Sequence, residues 1–136
     1  MRILEATTIE QVEAAAPLYD GPPDREASNA VLTDPRHHLL VALDDDGRTV
    51  GFISGVEMTH PDKGTEMFLY ELAVAQDARQ RGIGQALTVG LADLARGRGC
   101  YGMWVGVDTD NVAAHATYRA AGGDTPEPCD IITWTF

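Results

Sequence analysis

The feature that most constrains this fold is an apolar stretch joined to a glycine-rich turn and then to an apolar helical pattern. Residues 68–74 are rich in aromatic and β-branched side chains, which predicts a strand. Gly82 and Gly84 follow, and glycine permits positive φ and close backbone approach. Beyond this tight turn, apolar residues recur at helical spacing: Ile83, Leu87, Leu91 and Leu94. A strand, a turn and an amphipathic helix are therefore predicted in direct succession.

The start of such a helix is a ready anion-binding site. Its first backbone N–H groups have no intrahelical partner and lie at the positive end of the helix dipole. Two common nucleotide motifs do not fit, because a Walker loop needs Lys and Ser or Thr where Gln85 and Ala86 stand, and a dinucleotide fingerprint needs a small residue at Leu87. The remaining pattern is Arg-x-x-Gly-x-Gly after a strand, which by itself is also consistent with a simple turn.

A second motif extends this pattern. Arg79, Gly82 and Gly84 resemble the pyrophosphate loop of the GCN5-related N-acetyltransferases (the GNAT family). The sequence Asn-x-x-Ala-x-x-x-Tyr-x-x-x-Gly, from Asn111 to Gly122, is similar to the other signature of that family. The resemblance implies a GNAT acyl-CoA N-acyltransferase fold of the α/β (α+β) class, with a mixed central sheet of about six strands and four helices. It also implies that acetyl-CoA is the cofactor.

The resemblance assigns a cofactor role to several backbone segments. In the family, the loop binds the pyrophosphate through main-chain N–H groups, and the central strand splays from its parallel neighbour so that its backbone can hydrogen-bond the cofactor. For the arginines of the loop, a solvent-facing position is the alternative. The residues that the resemblance implies at the cofactor are Leu72, Ala73, Val74, Arg79, Gln80, Arg81, Gly82, Ile83, Gly84, Gln85 and Asn111.

Glu71 and Tyr118 are the candidate catalytic residues. Glu71 lies within an otherwise apolar strand, where a carboxylate is costly unless it is paired or faces a wet cleft. An acceptor amine of the lysine type has a pKa near 10.4 and must lose a proton before it attacks, so a carboxylate of raised pKa is a suitable base. A salt bridge to a nearby base is the alternative for Glu71. Tyr118, by the family resemblance, would donate to the leaving thiolate; otherwise it only packs.

Charge and composition limit the partners. The formal net charge is −11, with 21 acidic residues against 10 basic ones. This disfavours general binding to nucleic acid or to an anionic membrane and favours a cationic substrate, although an acidic surface also serves solubility alone. Length predicts a single domain over 1–136, and neither a signal peptide nor an apolar span is evident, so a cytoplasmic protein is expected. The cysteine and histidine spacing predicts no metal site.

A further resemblance limits the range of acceptors that we expect. With the short chain and acidic balance, residues 68–74 are similar to the strand of the aminoglycoside 3-N-acetyltransferases, which carry Tyr-acid-Leu-Ala-Val before the same loop. Their acid, usually aspartate, falls on Glu71. Asp108 and Asp110 would add negative charge beside the acceptor, or are turn and cap residues. We therefore expect acetyl transfer to a primary amine of a small cationic acceptor, with polyamine or peptide acceptors and a non-catalytic acyl-CoA-binding module as alternatives.

The remaining elements follow from local signals. Thr8 and Asp24 are predicted N-caps of two early helices, and Asp44–Gly47 is a predicted hairpin turn. The sequence does not decide whether the last strand pairs with a second copy of the chain in a homodimer. The predicted strands cover residues 2–6, 38–43, 50–58, 66–75, 100–108 and 130–136.

Overall fold

A computed structural model of the chain describes residues 1–136 and contains a single five-stranded sheet. Two short 3-10 turns, at Ala16–Leu18 and Gln76–Ala78, complete the regular structure. No helix is both long enough and apolar enough to cross a bilayer. The elements in chain order are β1 (Arg2–Glu5), α1 (Ile9–Ala14), α2 (Arg25–Thr33), β2 (His37–Leu43), β3 (Thr49–His60), β4 (Gly64–Val74), α3 (Ile83–Gly97), β5 (Met103–Trp104) and α4 (Val112–Ala120).

The sheet is mixed, and its strands lie in chain order. Strands β1 to β4 form an antiparallel meander, and β5 pairs with β4 in parallel. The parallel pairing requires a crossover, which α3 provides. The mixed sheet and the four helices confirm the predicted fold class, with one strand fewer than expected.

Local capping explains where the early elements begin and end. Thr8 and Gln11 form a capping box at the start of α1, and the Asp24 carboxylate accepts a hydrogen bond from the Ala27 amide at 2.7 Å at the start of α2. In the turn between β2 and β3, Asp44 accepts from the Arg48 amide at 2.9 Å, and Gly47 has a φ of 82°. The two predicted helix caps and the predicted turn are therefore confirmed. Each is formed by residues only a few positions apart in the chain.

Helices cover the two faces of the sheet and form two apolar clusters. Helix α3 packs against one face, where Ile53, Met67 and Leu91 are buried. Helices α1 and α2 pack against the other face, where Phe52 and Val41 are buried beside Val12 of α1. Alternation along β2 and β3 supplies side chains to both clusters, as expected for strands that are buried on both faces.

A charged network ties the α3 side of the sheet together. Both ring nitrogens of buried His38 lie 2.7 Å from carboxylate oxygens, one of Glu5 and one of Glu57. Glu57 also accepts from Arg98, just after α3, at 2.9 Å. Burial would raise the pKa of Glu57, but the hydrogen bonds from His38 and Arg98 outweigh it and lower that pKa. His38 is therefore a structural residue that links β1, β2 and β3.

Two strand predictions are wrong, because one strand is much shorter than predicted and the other does not form. The strand expected at 100–108 is reduced to Met103–Trp104, and residues 130–136 form no strand. Thr-Trp-Thr-Phe has the alternation of a strand, but a strand also needs a neighbour to bond with. Strand β5 presents only two residues, and Pro126 and Pro128 lack N–H groups just before the segment.

Gly55 is the position where the packing of α3 on the sheet leaves least room. An added Cβ would lie 2.9 Å from both Leu91 Cδ1 and Met67 Sδ, which are fully buried side chains. We expect Gly55→Ala to lower the free energy of unfolding by about 1–3 kcal/mol, measured by urea denaturation. Gly97→Ala is the control, since nothing lies within 4 Å of its Cβ position in α3. An unchanged midpoint for Gly55→Ala would contradict the tight packing.

Candidate active site

A cleft opens where β4 and β5 diverge. Strand β4 pairs with β3 as far as Val74, but it pairs with β5 only at Met67 and Phe68. The edge of β4 beyond Phe68 therefore has no strand partner on this side. A cavity of about 1020 Å³ occupies this region, between the end of β4, the start of α3 and the inner face of α4.

The start of α3 supplies free backbone donors to this cavity. Gly82, the N-cap, has φ 77° and ψ 7°, a left-handed conformation that turns the chain into the helix without a side-chain cap. The backbone N–H groups of Ile83, Gly84 and Gln85 have no acceptor in the structure. All of these residues line the cavity, so it contains the donor array and dipole that favour an anion.

The two arginines of the loop differ in position. Arg79 lines the cavity, and its Nε donates to the Val74 carbonyl at 3.2 Å, which ties the loop back to the end of β4. Arg81 does not line the cavity. Gln80, between them, has a φ of 59°, an unusual value for a residue other than glycine. The loop therefore turns through two left-handed residues, Gln80 and Gly82, before the helix begins.

A bulge in β4 determines where Glu71 points. Glu71 pairs with Ser54 and Leu69 pairs with Gly55, so Tyr70 is the extra residue of the bulge. Leu69 and Leu72, three positions apart, consequently both join the α3-side cluster. Ala73 packs in the opposite cluster. The bulge therefore places Glu71 on the face of the sheet that carries α1 and α2.

The surroundings of Glu71 favour its neutral form. Burial raises the pKa of Glu71, and the negative charge of Asp20 raises it further. No basic side chain forms an ion pair with it. Asp20 follows Tyr19, whose ring packs edge-on against Phe52 at 4.9 Å and whose hydroxyl donates to the Val12 carbonyl at 2.9 Å. The salt-bridge alternative for Glu71 is therefore not what the structure shows.

Tyr118 lies on the opposite wall of the cavity. It lies near the end of α4. The N-cap of this helix is Asn111, whose side chain accepts from the Ala114 amide at 3.0 Å, as predicted. Tyr118 is half-buried against the α3-side cluster, and burial raises the pKa of its phenol. Its hydroxyl makes no hydrogen bond within the protein, so it is free to donate to a group in the cavity.

Most of the residues predicted from the sequence meet in this cavity. Arg81 and Asp110 do not line it. Asp108 lines it, and its backbone carbonyl also accepts from the Asn111 amide and lies 3.2 Å from His115 Nε2. Sequence reasoning missed Thr117 and Ile131, which line the cavity but belong to no motif. The predicted residues that line it are Glu71, Leu72, Ala73, Val74, Arg79, Gln80, Gly82, Ile83, Gly84, Gln85, Asp108, Asn111 and Tyr118.

Comparisons with known proteins identify the family and the fold. The model of the acetyltransferase (GNAT) family matches residues 3–122. No curated protein matches the chain. Among solved structures, the aminoglycoside 6'-N-acetyltransferase AAC(6')-Ih from Acinetobacter baumannii is 16% identical with a TM-score of 0.80, and the match covers 99% of this chain and 98% of that chain.

Two further structures are similar in fold. AAC(6')-Iy, in complex with the bisubstrate analogue CoA-S-monomethyl-acetylneamine, is 19% identical with a TM-score of 0.85 over 98% of this chain and 97% of that chain. The aminoglycoside acetyltransferase meta-AAC0020, from an uncultured soil metagenomic sample and in complex with sisomicin, is 19% identical with a TM-score of 0.81 over 99% and 95%. At these identities the likeness shows the fold. The two named AAC(6') neighbours are of the 6' type, whereas the sequence resemblance is to the 3-N type.

The raised pKa of Glu71 predicts that this residue lowers the free energy of unfolding at neutral pH. Ionising Glu71 costs more free energy in the folded protein than in the unfolded chain, because its pKa is raised on folding. This loss of stability is fully present at pH values above the folded-state pKa, and it disappears below the ordinary glutamate pKa of about 4.3. We expect Glu71→Gln to have a higher free energy of unfolding than the wild type at pH 7, measured by urea denaturation. The difference should narrow as the pH falls and vanish below about pH 4.

Glu13→Gln is the control for the lost charge, because Glu13 is an exposed residue of α1. It should show no such gain at pH 7. If Glu71→Gln were no more stable than the wild type at pH 7, the carboxylate would not be held in an unfavourable site.

Proposed function

Because the chain belongs to the GNAT acetyltransferase family, we propose that it transfers the acetyl group of acetyl-CoA to a primary amine of a small cationic acceptor. One observation carries the proposal. A single cavity of about 1020 Å³ contains the free amides at the start of α3, the unpaired edge of β4, Glu71 and Tyr118. These are the groups that acetyl transfer from a thioester to an amine requires.

The donor side is built from backbone. The free N–H groups of Ile83, Gly84 and Gln85 suit the diphosphate of the cofactor, because they lie at the positive end of the helix and have no acceptor within the protein. Backbone groups of Leu72 to Val74 suit the pantetheine arm, because β4 has no strand partner there, and in the proposed reaction one of their N–H groups polarises the thioester carbonyl. Glycine at 84 also brings α3 close to α4, where Tyr118 lies.

The acceptor side centres on Glu71. In the proposed reaction, Glu71 takes a proton from the ammonium group, and the freed amine nitrogen bonds to the acetyl carbon. The carbon–sulfur bond then breaks, and the second proton that the nitrogen loses passes to the departing sulfur, which gives the amide and the CoA thiol. A carboxylate whose pKa is raised by burial is a better base than an ordinary one, and it attracts the cation that it deprotonates.

Tyr118 acts on the departing sulfur. Burial raises the pKa of the phenol, so it stays protonated across the working pH range. A phenol of raised pKa is a poor acid towards a thiolate, since a thiol has a pKa near 8.5. We therefore propose that Tyr118 stabilises the thiolate chiefly through a hydrogen bond, while the proton of the product thiol comes from the attacking nitrogen.

An aminoglycoside is the acceptor that we propose to test first. The net charge of −11 attracts a polycation at long range, Asp20 adds negative charge beside Glu71, and Asp108 lines the same cavity. The structural neighbours described above carry aminoglycoside names, which supports the choice of panel. Polyamines and peptide amines have the same charge, so they belong in the panel.

The test is release of free CoA thiol from acetyl-CoA, titrated against aminoglycosides, polyamines and short peptides. Turnover with an aminoglycoside supports the proposal, and NMR of the product identifies whether the 3-amino or the 6'-amino group is acetylated. Turnover only with a polyamine or peptide would reject the aminoglycoside as acceptor and keep the enzyme. Tight acetyl-CoA binding in calorimetry without turnover would favour the non-catalytic module.

Tyr118→Phe separates catalysis from binding. Loss of one hydrogen bond to a charged leaving group should lower kcat by roughly 10–100-fold, since such bonds contribute about 1.5–3 kcal/mol. The affinity for CoA, measured by calorimetry, should stay within about twofold, because in the proposed complex the phenol contacts only the sulfur end of the cofactor. Tyr101→Phe, an exposed tyrosine outside the cavity, is the control. Weakened CoA binding with normal kcat would contradict this role.

Glu71→Gln should remove the acidic limb of the rate–pH profile. In the wild type, kcat/KM should rise with pH through a midpoint above the ordinary glutamate pKa of about 4.3, as the base ionises. The amide cannot accept the proton, so the variant should be slow and should lack that midpoint. Glu13→Gln should keep the wild-type profile. An unaltered profile in Glu71→Gln would remove Glu71 as the base.

A further inference from the structure

The C-terminal end of α4 has one carbonyl that no local residue satisfies. The carbonyls of Thr117, Tyr118 and Arg119 accept the amides of Ala121, Gly123 and Gly122 at 3.1, 2.9 and 3.0 Å. These bonds close the helix as expected after a left-handed glycine, and Gly122 has a φ of 93°. The Ala120 carbonyl accepts instead from Gln85 Nε2, at 2.8 Å, across 35 positions of sequence.

Gln85 belongs to the same helical turn that supplies the free amides. It is the third residue of α3, directly after Gly84. At Gly84 the two helices touch, since an added Cβ would lie only 3.2 Å from Thr117 Cγ2. The Gln85 side chain and the Gly84 backbone therefore contact α4 on either side of Tyr118, at Ala120 and Thr117.

The bond from Gln85 to Ala120 contributes little to folding by itself. Both groups are exposed to solvent, so water can replace either partner if the bond is lost. Its geometric effect is larger, because it is the one side-chain hydrogen bond that joins α3 to α4. Loss of this bond would remove one restraint on the position of α4 relative to the α3 turn, while the contacts of Thr117 and Tyr118 keep the helix packed.

We propose that Gln85 is a positioning residue, whose side chain holds α4 so that the Tyr118 hydroxyl faces the reacting sulfur. The inference rests on the proposed function, since it assigns Gln85 to the leaving-group step of that reaction. Gln85 thus has two separate tasks. Its backbone N–H belongs to the anion-binding turn, and its side-chain amide transmits the position of that turn to Tyr118.

Two variants at Gln85 isolate the hydrogen bond. Gln85→Met keeps the length and removes the donor, whereas Gln85→Lys restores a donor that can reach the Ala120 carbonyl. Because small displacements of a catalytic group are costly, we expect Gln85→Met to lower kcat at least about fivefold, with KM for acetyl-CoA within about twofold of the wild type. Gln85→Lys should recover kcat; its charge is expected to alter KM, so kcat is the readout.

A double-mutant cycle tests whether the effect passes through Tyr118. In the Tyr118→Phe background, Gln85→Met should cause no further loss of kcat, because the hydroxyl that it positions is absent. Additive losses would overturn the inference and leave Gln85 with an independent role. Equal kcat for Gln85→Met and the wild type would overturn it as well.

A spectroscopic readout makes the test independent of turnover. In protein labelled with ¹³C in its four tyrosine rings, the Tyr118 resonance is identified by its absence from Tyr118→Phe. With CoA bound, Gln85→Met should shift this resonance, leave those of Tyr19, Tyr70 and Tyr101 in place, and lose the shift again in Gln85→Lys. An unmoved Tyr118 resonance would overturn the inference. If the wild type released no thiol with any acceptor, the proposed function would fail, and this resonance would still decide the positioning.

Discussion

The incomplete pairing between β4 and β5 is the constraint on which the rest of this structure depends. One edge of β4 is hydrogen-bonded to β3 as far as Val74, whereas the other edge is bonded to β5 only at Met67 and Phe68. Past this point β4 presents backbone groups without a strand partner, and such groups require ligands or water. The helices that follow β4 and β5 form the walls of the resulting cleft, so a cofactor that adds hydrogen bonds along the free edge is favoured.

The same strand also determines the electrostatics of the site. The bulge at Tyr70 moves Glu71 to the α1 and α2 face, where burial and Asp20 raise its pKa. A carboxylate in this position is costly to the folded protein, and in the proposed function it acts as the base for a cationic amine. The site therefore combines positive helix-end potential at α3, where we propose that the diphosphate binds, with negative charge at β4, where we propose that the acceptor binds. The β4 strand lies between the two.

The successes and failures of the sequence predictions have a common physical cause. The strand–turn–helix unit, the caps at Thr8, Asp24 and Asn111, and the turn at Gly47 are stabilised by residues a few positions apart, so the sequence pattern is sufficient. The strand expected at 130–136 depends instead on a partner edge, and β5 offers too little of one. The nearness of Asp20 to Glu71 likewise joins distant segments that no spacing rule relates.

By itself, the sequence determined the strand–turn–helix unit with its glycine turn at Gly82 and Gly84, and, together with the family resemblance, it singled out Glu71 and Tyr118 as the catalytic candidates. These depend on local periodicity, on glycine's conformational freedom and on side-chain type. Only the tertiary structure decided how far β5 pairs with β4, which face Glu71 occupies and what the Gln85 side chain contacts. Each of these results from hydrogen bonds between residues far apart in the chain, and such bonds form only when the packed elements bring their partners within about 3 Å.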